Sequence, residues 1–150
     1  MFQAVHDKCT TRRFQVFVPL CGGYEGKVTT SLEEVTGLVL NWVSAKLRNK
    51  ERYLSGFVYP VGVGIFGWRT GDAPEDFKVL QEPNVVIDIS THPEFHRDFS
   101  AEDVDRAIQE LSSHIGEACG QTRIYVHEIQ TALTIFQRPE SVAPTQTHQQ

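Results

Sequence analysis

What most limits the folds open to this chain is the order in which its hydrophobic period changes. Segments that alternate with a period of two, as half-buried strands do, bracket two segments whose apolar residues recur every three to four positions, as on one face of a helix. In residues 12–20, RRFQVFVPL, Phe14, Val16 and Val18 fall on one side and Arg13, Gln15 and Phe17 on the other. After the turn-rich CGGYEGK, residues 29–49 carry Leu32, Val35, Leu38, Val39, Trp42 and Leu47 at helical intervals, and Ser31 and Glu34 have capping-box spacing. Two strands follow, FVYPVGVGIFGWRT and KVLQEPNVVIDIST, joined by GDAPEDF. Pro60 and Pro83 mark edges or bulges in them, because proline cannot donate to a ladder. A second helix starts at the Ser100 cap, with Asp103 as its reciprocal partner. It shows Val104, Ala107, Ile108, Leu111, Ile115 and Ala118 as its stripe and stops at Gly120. TRIYVHEIQTALTIFQ alternates again, with an irregularity expected near Gln130.

This order predicts an α+β, ferredoxin-like βαββαβ fold: a four-stranded antiparallel sheet with two helices on one face. Residues 1–138 are read as one domain, and the aperiodic, polar residues 139–150 as a flexible tail. The start of the chain lacks the apolar run of a signal peptide, and no segment approaches the roughly 18 apolar residues that cross a bilayer. Cys9, Cys21 and Cys119 have no metal-type spacing, so a reduced, cytoplasmic setting is expected. A net charge of -5 argues against a membrane surface and against nucleic acid as partners. Lys46, Arg48, Lys50 and Arg52 cluster where the first helix ends and complement its dipole.

Gly62, Gly64 and Gly67 form a G-x-G-x-x-G pattern, which in a dinucleotide site leaves a strand and opens a helix. Here Gly71 and Pro74 follow and forbid that helix, so no cofactor is assigned. The period of two gives these residues another role. Val61, Val63 and Ile65 are expected to point toward the helices, and Gly62, Gly64, Phe66 and Trp68 toward the uncovered side. The same phase puts Arg13, Gln15, Phe17, Val86, Asp88, Ser90, Tyr125 and His127 on that side, with the glycines forming a trough.

A face mixing aromatic and polar groups suits an interface or a ligand platform. His92 and His96, with Glu94 and Asp98, are metal-binding residue types, but Pro93 breaks the helix that such a pair needs, and no metal is assigned. Neighbours His127 and Glu128 face opposite sides of the sheet. Glu128 therefore needs a partner such as Arg on the helix side. Cys119, at a helix C-terminus, is at the wrong end for a reactive thiolate, and Cys21 is the more plausible one.

FQVFVPL, EPNVVIDIS and QTRIYVHEIQTALTIF together resemble a group of small ferredoxin-like bacterial and phage proteins of unknown function, the DUF3574 type. The resemblance implies the fold and carries over no functional residue. The function expected from the sequence is a non-catalytic accessory protein that self-associates and binds a small molecule or protein partner through the open sheet face. A second reading is a small enzyme with a polar cavity between facing sheets, using His127, Asp88 or Tyr125 to handle protons. A third is single-stranded RNA binding with Phe17, Phe66 and Tyr125 as stacking platforms.

Overall fold

The structure, a computed structural model, describes residues 3–22 and 27–137. The expected tail from Pro139 lies outside these residues. The strands are β1 (Gln3–Pro19), β2 (Cys21–Gly22), β3 (Lys27–Val28), β4 (Ser55–Arg69), β5 (Phe77–Ser90) and β6 (Tyr125–Gln137). The helices are α1 (Leu32–Arg48), between β3 and β4, and α2 (Ala101–Ala118), between β5 and β6. Four strands form one sheet in the order β4-β5-β1-β6, every neighbouring pair antiparallel, while β2 and β3 pair separately.

Both helices form where the caps predict. The Ser31 hydroxyl accepts the Glu34 N–H at 3.2 Å, but the Glu34 carboxylate accepts from Thr30, so α1 has only half of a capping box. At α2 both halves are present between Ser100 and Asp103. Gly120, at φ +62, takes the left-handed conformation that ends the helix cheaply. Phe14, Val16 and Val18 of β1 and Val85, Ile87 and Ile89 of β5 pack against Val35 and Trp42 of α1 and Val104, Ala107, Leu111 and Ile115 of α2. Both helices therefore cover the same face. Leu47 and Ala118, expected in the helix stripes, are exposed instead.

The outer reaches of the sheet depart from the sequence reading. β1 begins well before the alternation at residues 12–20 because its first half pairs only with the far half of β6. The irregularity expected near Gln130 lies elsewhere: Gln130 sits in register with Arg12, and the shifts fall between Ala4 and Cys9. At the other end β1 stops at Pro19, opposite Asn84, and β4 and β5 run on as a hairpin. Val61, Val63 and Ile65, expected against the helices, are 43%, 60% and 71% exposed because none of the described residues covers this side of the hairpin.

Candidate functional site

The face away from the helices is set by register. Phe57 and Tyr59 stand opposite Asp88 and Val86, and after a bulge between Pro60 and Gly62 the phase of β4 reverses. Beyond it Gly62, Gly64, Phe66 and Trp68 stand opposite Asn84, Glu82, Leu80 and Lys78. Gly62 adopts φ +98, a conformation that side-chain-bearing residues rarely take, and this lets the extra residue Val61 be absorbed there. Across the sheet Gln15 lies between Asp88 and His127, and Phe17 between Val86 and Tyr125. Ser90 ends the face opposite Arg13.

One end of this face is a polar cluster around Asp88, which is 7% exposed. Arg13 binds it through both nitrogens, with Nε 2.7 Å from Oδ1 and Nη2 on Oδ2. The Tyr59 hydroxyl donates to Oδ2 at 2.8 Å and Gln15 Nε2 at 3.2 Å. These donors, Arg13 first, outweigh burial and hold the Asp88 carboxyl down at about 2. The bond to Asp88, with burial second, pushes the Tyr59 phenol up. Asp88 is therefore a fixed anion that orients Arg13 and Tyr59, and the intervening β1 keeps it from meeting His127.

The other end is an aromatic groove of about 830 Å³ between Phe66, Trp68, Glu82, Gln121 and Tyr125. A shallower hollow of about 360 Å³, lined by Phe17, Gly62, Gly64, Asn84 and His127, shares the Phe66 and Tyr125 walls. The Phe66 and Tyr125 rings stack with centroids 6.4 Å apart and planes 17° apart, and Phe17 meets His127 at 4.9 Å. Phe66 belongs to one outer strand and Tyr125 to the other, so the two rings close over the face between them near the end of β1. Gly64 contributes to this: a β-carbon on it would lie 2.7 Å from the Phe66 ring and 2.6 Å from Asn84 Nδ2.

Glu82 lies among these rings and is 6% exposed. Burial alone raises its carboxyl above the usual range; neither a cation nor a hydrogen-bond donor is paired with the carboxylate among the described residues. Lys78 and Arg123 also line the groove but neither pairs with Glu82, so a positive charge bound beside this largely buried acid would offset its desolvation. Gln121 fixes the adjacent wall by donating from Nε2 to the carbonyls of Pro19 (2.9 Å) and Cys21 (2.8 Å). Glu82, Asn84 and Tyr59 were missed in the sequence. Extending the alternation of β5 through Pro83 reaches Glu82 and Asn84, whereas Tyr59 is concealed by the bulge that reverses phase.

Other sequence candidates have local duties. His96 Nδ1 accepts the His92 N–H at 2.7 Å and His92 Nδ1 the Glu94 N–H at 3.2 Å, which takes up those nitrogens. Among the described residues no three His, Cys, Asp or Glu side chains are grouped to hold a metal ion. Glu128 finds its arginine: Arg12 binds it at 2.7 and 3.1 Å and also reaches Asp105 of α2. Burial first, and then the nearby Glu82 charge, raise the Cys21 thiol; burial chiefly raises that of Cys119, so neither is primed as a thiolate.

These elements define an α+β domain with a four-stranded antiparallel sheet, two helices on one face and a concave aromatic groove on the other. Two solved structures share the fold. One is a phage SAM lyase in complex with S-methyl-5'-thioadenosine, 19% identical, with a TM-score of 0.52 over 83% of this chain and 88% of that one. The other is a phage SAM lyase in the apo state, 18% identical, with a TM-score of 0.53 over 90% of this chain and 94% of that one. No family model and no curated protein matches. The expectation of a non-catalytic accessory protein is corrected by these neighbours, which are enzymes and favour the enzyme reading. Among the described residues no helix is long and apolar enough to cross a membrane.

Proposed function

We propose that this protein is a cytoplasmic enzyme of ferredoxin-like βαββαβ topology that cleaves an adenosyl sulfonium of the S-adenosylmethionine class in the Phe66–Tyr125 groove. Glu82 is the observation that carries the reading: a largely buried residue whose carboxylate lines the aromatic groove, with no partner among the described residues, complements a cation attached to a flat heterocycle. The two phage lyases of the same fold support it, one of them holding S-methyl-5'-thioadenosine.

Release of S-methyl-5'-thioadenosine from such a substrate breaks the bond between sulfur and the terminal side-chain carbon of the amino acid, its electron pair passing to sulfur, while a carboxylate oxygen of the same amino acid bonds to that carbon and closes a lactone; the carboxylate and sulfonium charges cancel and no co-reactant is consumed. The positive charge on sulfur disappears as this happens. Attraction to Glu82 is therefore strongest in the bound substrate and fades toward the transition state. It selects the substrate over the neutral thioether but does not itself lower the barrier. Rate enhancement falls to the walls, which hold the flexible chain in one conformation and keep water out.

Self-association belongs to the same proposal. The β4–β5 hairpin shows Val63, Ile65, Phe77 and Val79, each more than half exposed, and a two-stranded ribbon with such a surface is stabilised by a second copy. Calorimetric titration with S-methyl-5'-thioadenosine tests the groove: saturable binding that is lost in Tyr125→Ala supports it, and no heat at millimolar ligand rejects it.

A further inference from the structure

His96 is 5% exposed, in the turn between β5 and α2, and is held in a way that makes its charge state structural. Its Nδ1 accepts the His92 N–H, so the imidazole proton resides on Nε2, which is buried without a partner. The turn closes on the same residue: His96 N–H donates to the His92 carbonyl at 2.9 Å, and Phe99 N–H to the His96 carbonyl at 3.1 Å. Tyr53 meets the ring edge-on at 5.8 Å and Phe99 at 4.8 Å. The charged and titratable groups nearby are His92 in the turn, Tyr53 and Arg52 ahead of β4, and Asp103 in α2. Arg52 lies over the Phe99 ring, 4.6 Å from its centroid, and Asp103 is engaged with Ser100 and Arg52. No carboxylate pairs with His96 among the described residues.

A second proton on the ring can enter only at Nδ1, where it displaces the His92 amide, and the resulting buried cation has the Tyr53 and Phe99 rings and the His92 imidazole for neighbours, with no carboxylate paired to it among the described residues. We propose that His96 is an acid-sensitive latch: its protonation releases residues 92–99 and frays the first turn of α2, whose cap Ser100 directly follows Phe99. The latch is independent of what the groove binds.

Nitrogen-15 imidazole spectra and amide exchange of the full chain, followed from pH 8 to pH 5, test it. The expected result is an Nε2–H tautomer for His96 at pH 8. On acidification the His92 amide and those of the first turn of α2 should lose about tenfold or more of their protection, after correction for intrinsic exchange. His96→Asn keeps an acceptor for the His92 amide but cannot titrate, so the acid-induced opening should vanish in it. Opening that persists in this variant, a proton on Nδ1 at pH 8, or titration of His96 with the turn still protected would each overturn the proposal. Should His96→Asn fail to fold, the tautomer and exchange data of the unaltered protein still decide.

Discussion

Phe66 and Tyr125 stand on the two outer strands of a four-stranded sheet, yet their rings are stacked 6.4 Å apart. That approach is made with Phe66 leaning over Gly64, the residue opposite Glu82. The groove thus depends on a missing side chain as much as on the rings.

Gly64→Val should push the Phe66 ring outward and open the stack. The atoms in the way belong to side chains, so a stability cost of about 1–3 kcal/mol is expected. Affinity for S-methyl-5'-thioadenosine should fall at least about tenfold. Thermal unfolding and calorimetric titration of the one variant read both effects.

Glu82→Gln removes the charge and keeps the shape. Affinity for S-adenosylmethionine should drop about 10- to 100-fold, as for loss of one interaction with a charged group, while that for the neutral thioether stays the same. Because the folded-state carboxyl is raised, ionisation of Glu82 costs stability as pH rises through its unfolded and then its folded value. The variant should therefore be at least as stable as the parent at pH 7. A clear loss of stability would show that Glu82 has a structural partner.

Asp88 works in the opposite direction. Its folded-state carboxyl lies at about 2, below the ordinary 3.8. The stability it provides is complete above the unfolded value and is lost as pH falls toward the folded one. Denaturant titrations should show about 2 kcal/mol disappearing between about pH 5 and pH 2 in the parent, and a smaller loss over that range in Asp88→Asn.

Val79→Asp places a charge in the exposed hairpin patch at a residue that lines neither the groove nor the smaller hollow. If the hairpin joins two copies, light scattering should report a smaller assembly for this variant than for the parent at equal concentration. An identical mass would place any association elsewhere.

The helices and the antiparallel pairing of the central strands follow from local rules visible in the sequence. Ser100 with Asp103 announces a cap, and Phe14, Val16 and Val18 announce a buried side. Positions set by pairing partners were harder to see. Tyr59 joins Asp88 only because the bulge at Gly62 reverses the phase of β4, and a bulge leaves little trace beyond Pro60 and a glycine. The first half of β1 carries no alternation, and its pairing with the far half of β6 is visible only in the assembled sheet. Stacking of Phe66 on Tyr125 joins two strands that are far apart in sequence, a relationship that no single strand encodes. Glu82 reads as an ordinary surface acid until the rings and Gln121 are assembled around it.

The most direct measurement of the central claim is chromatography of the purified protein incubated with S-adenosylmethionine. The predicted result is accumulation of S-methyl-5'-thioadenosine in proportion to protein concentration, reduced at low substrate concentration in Glu82→Gln and Gly64→Val. Unchanged substrate, after incubation with folded protein at concentrations that fill the groove, would contradict it.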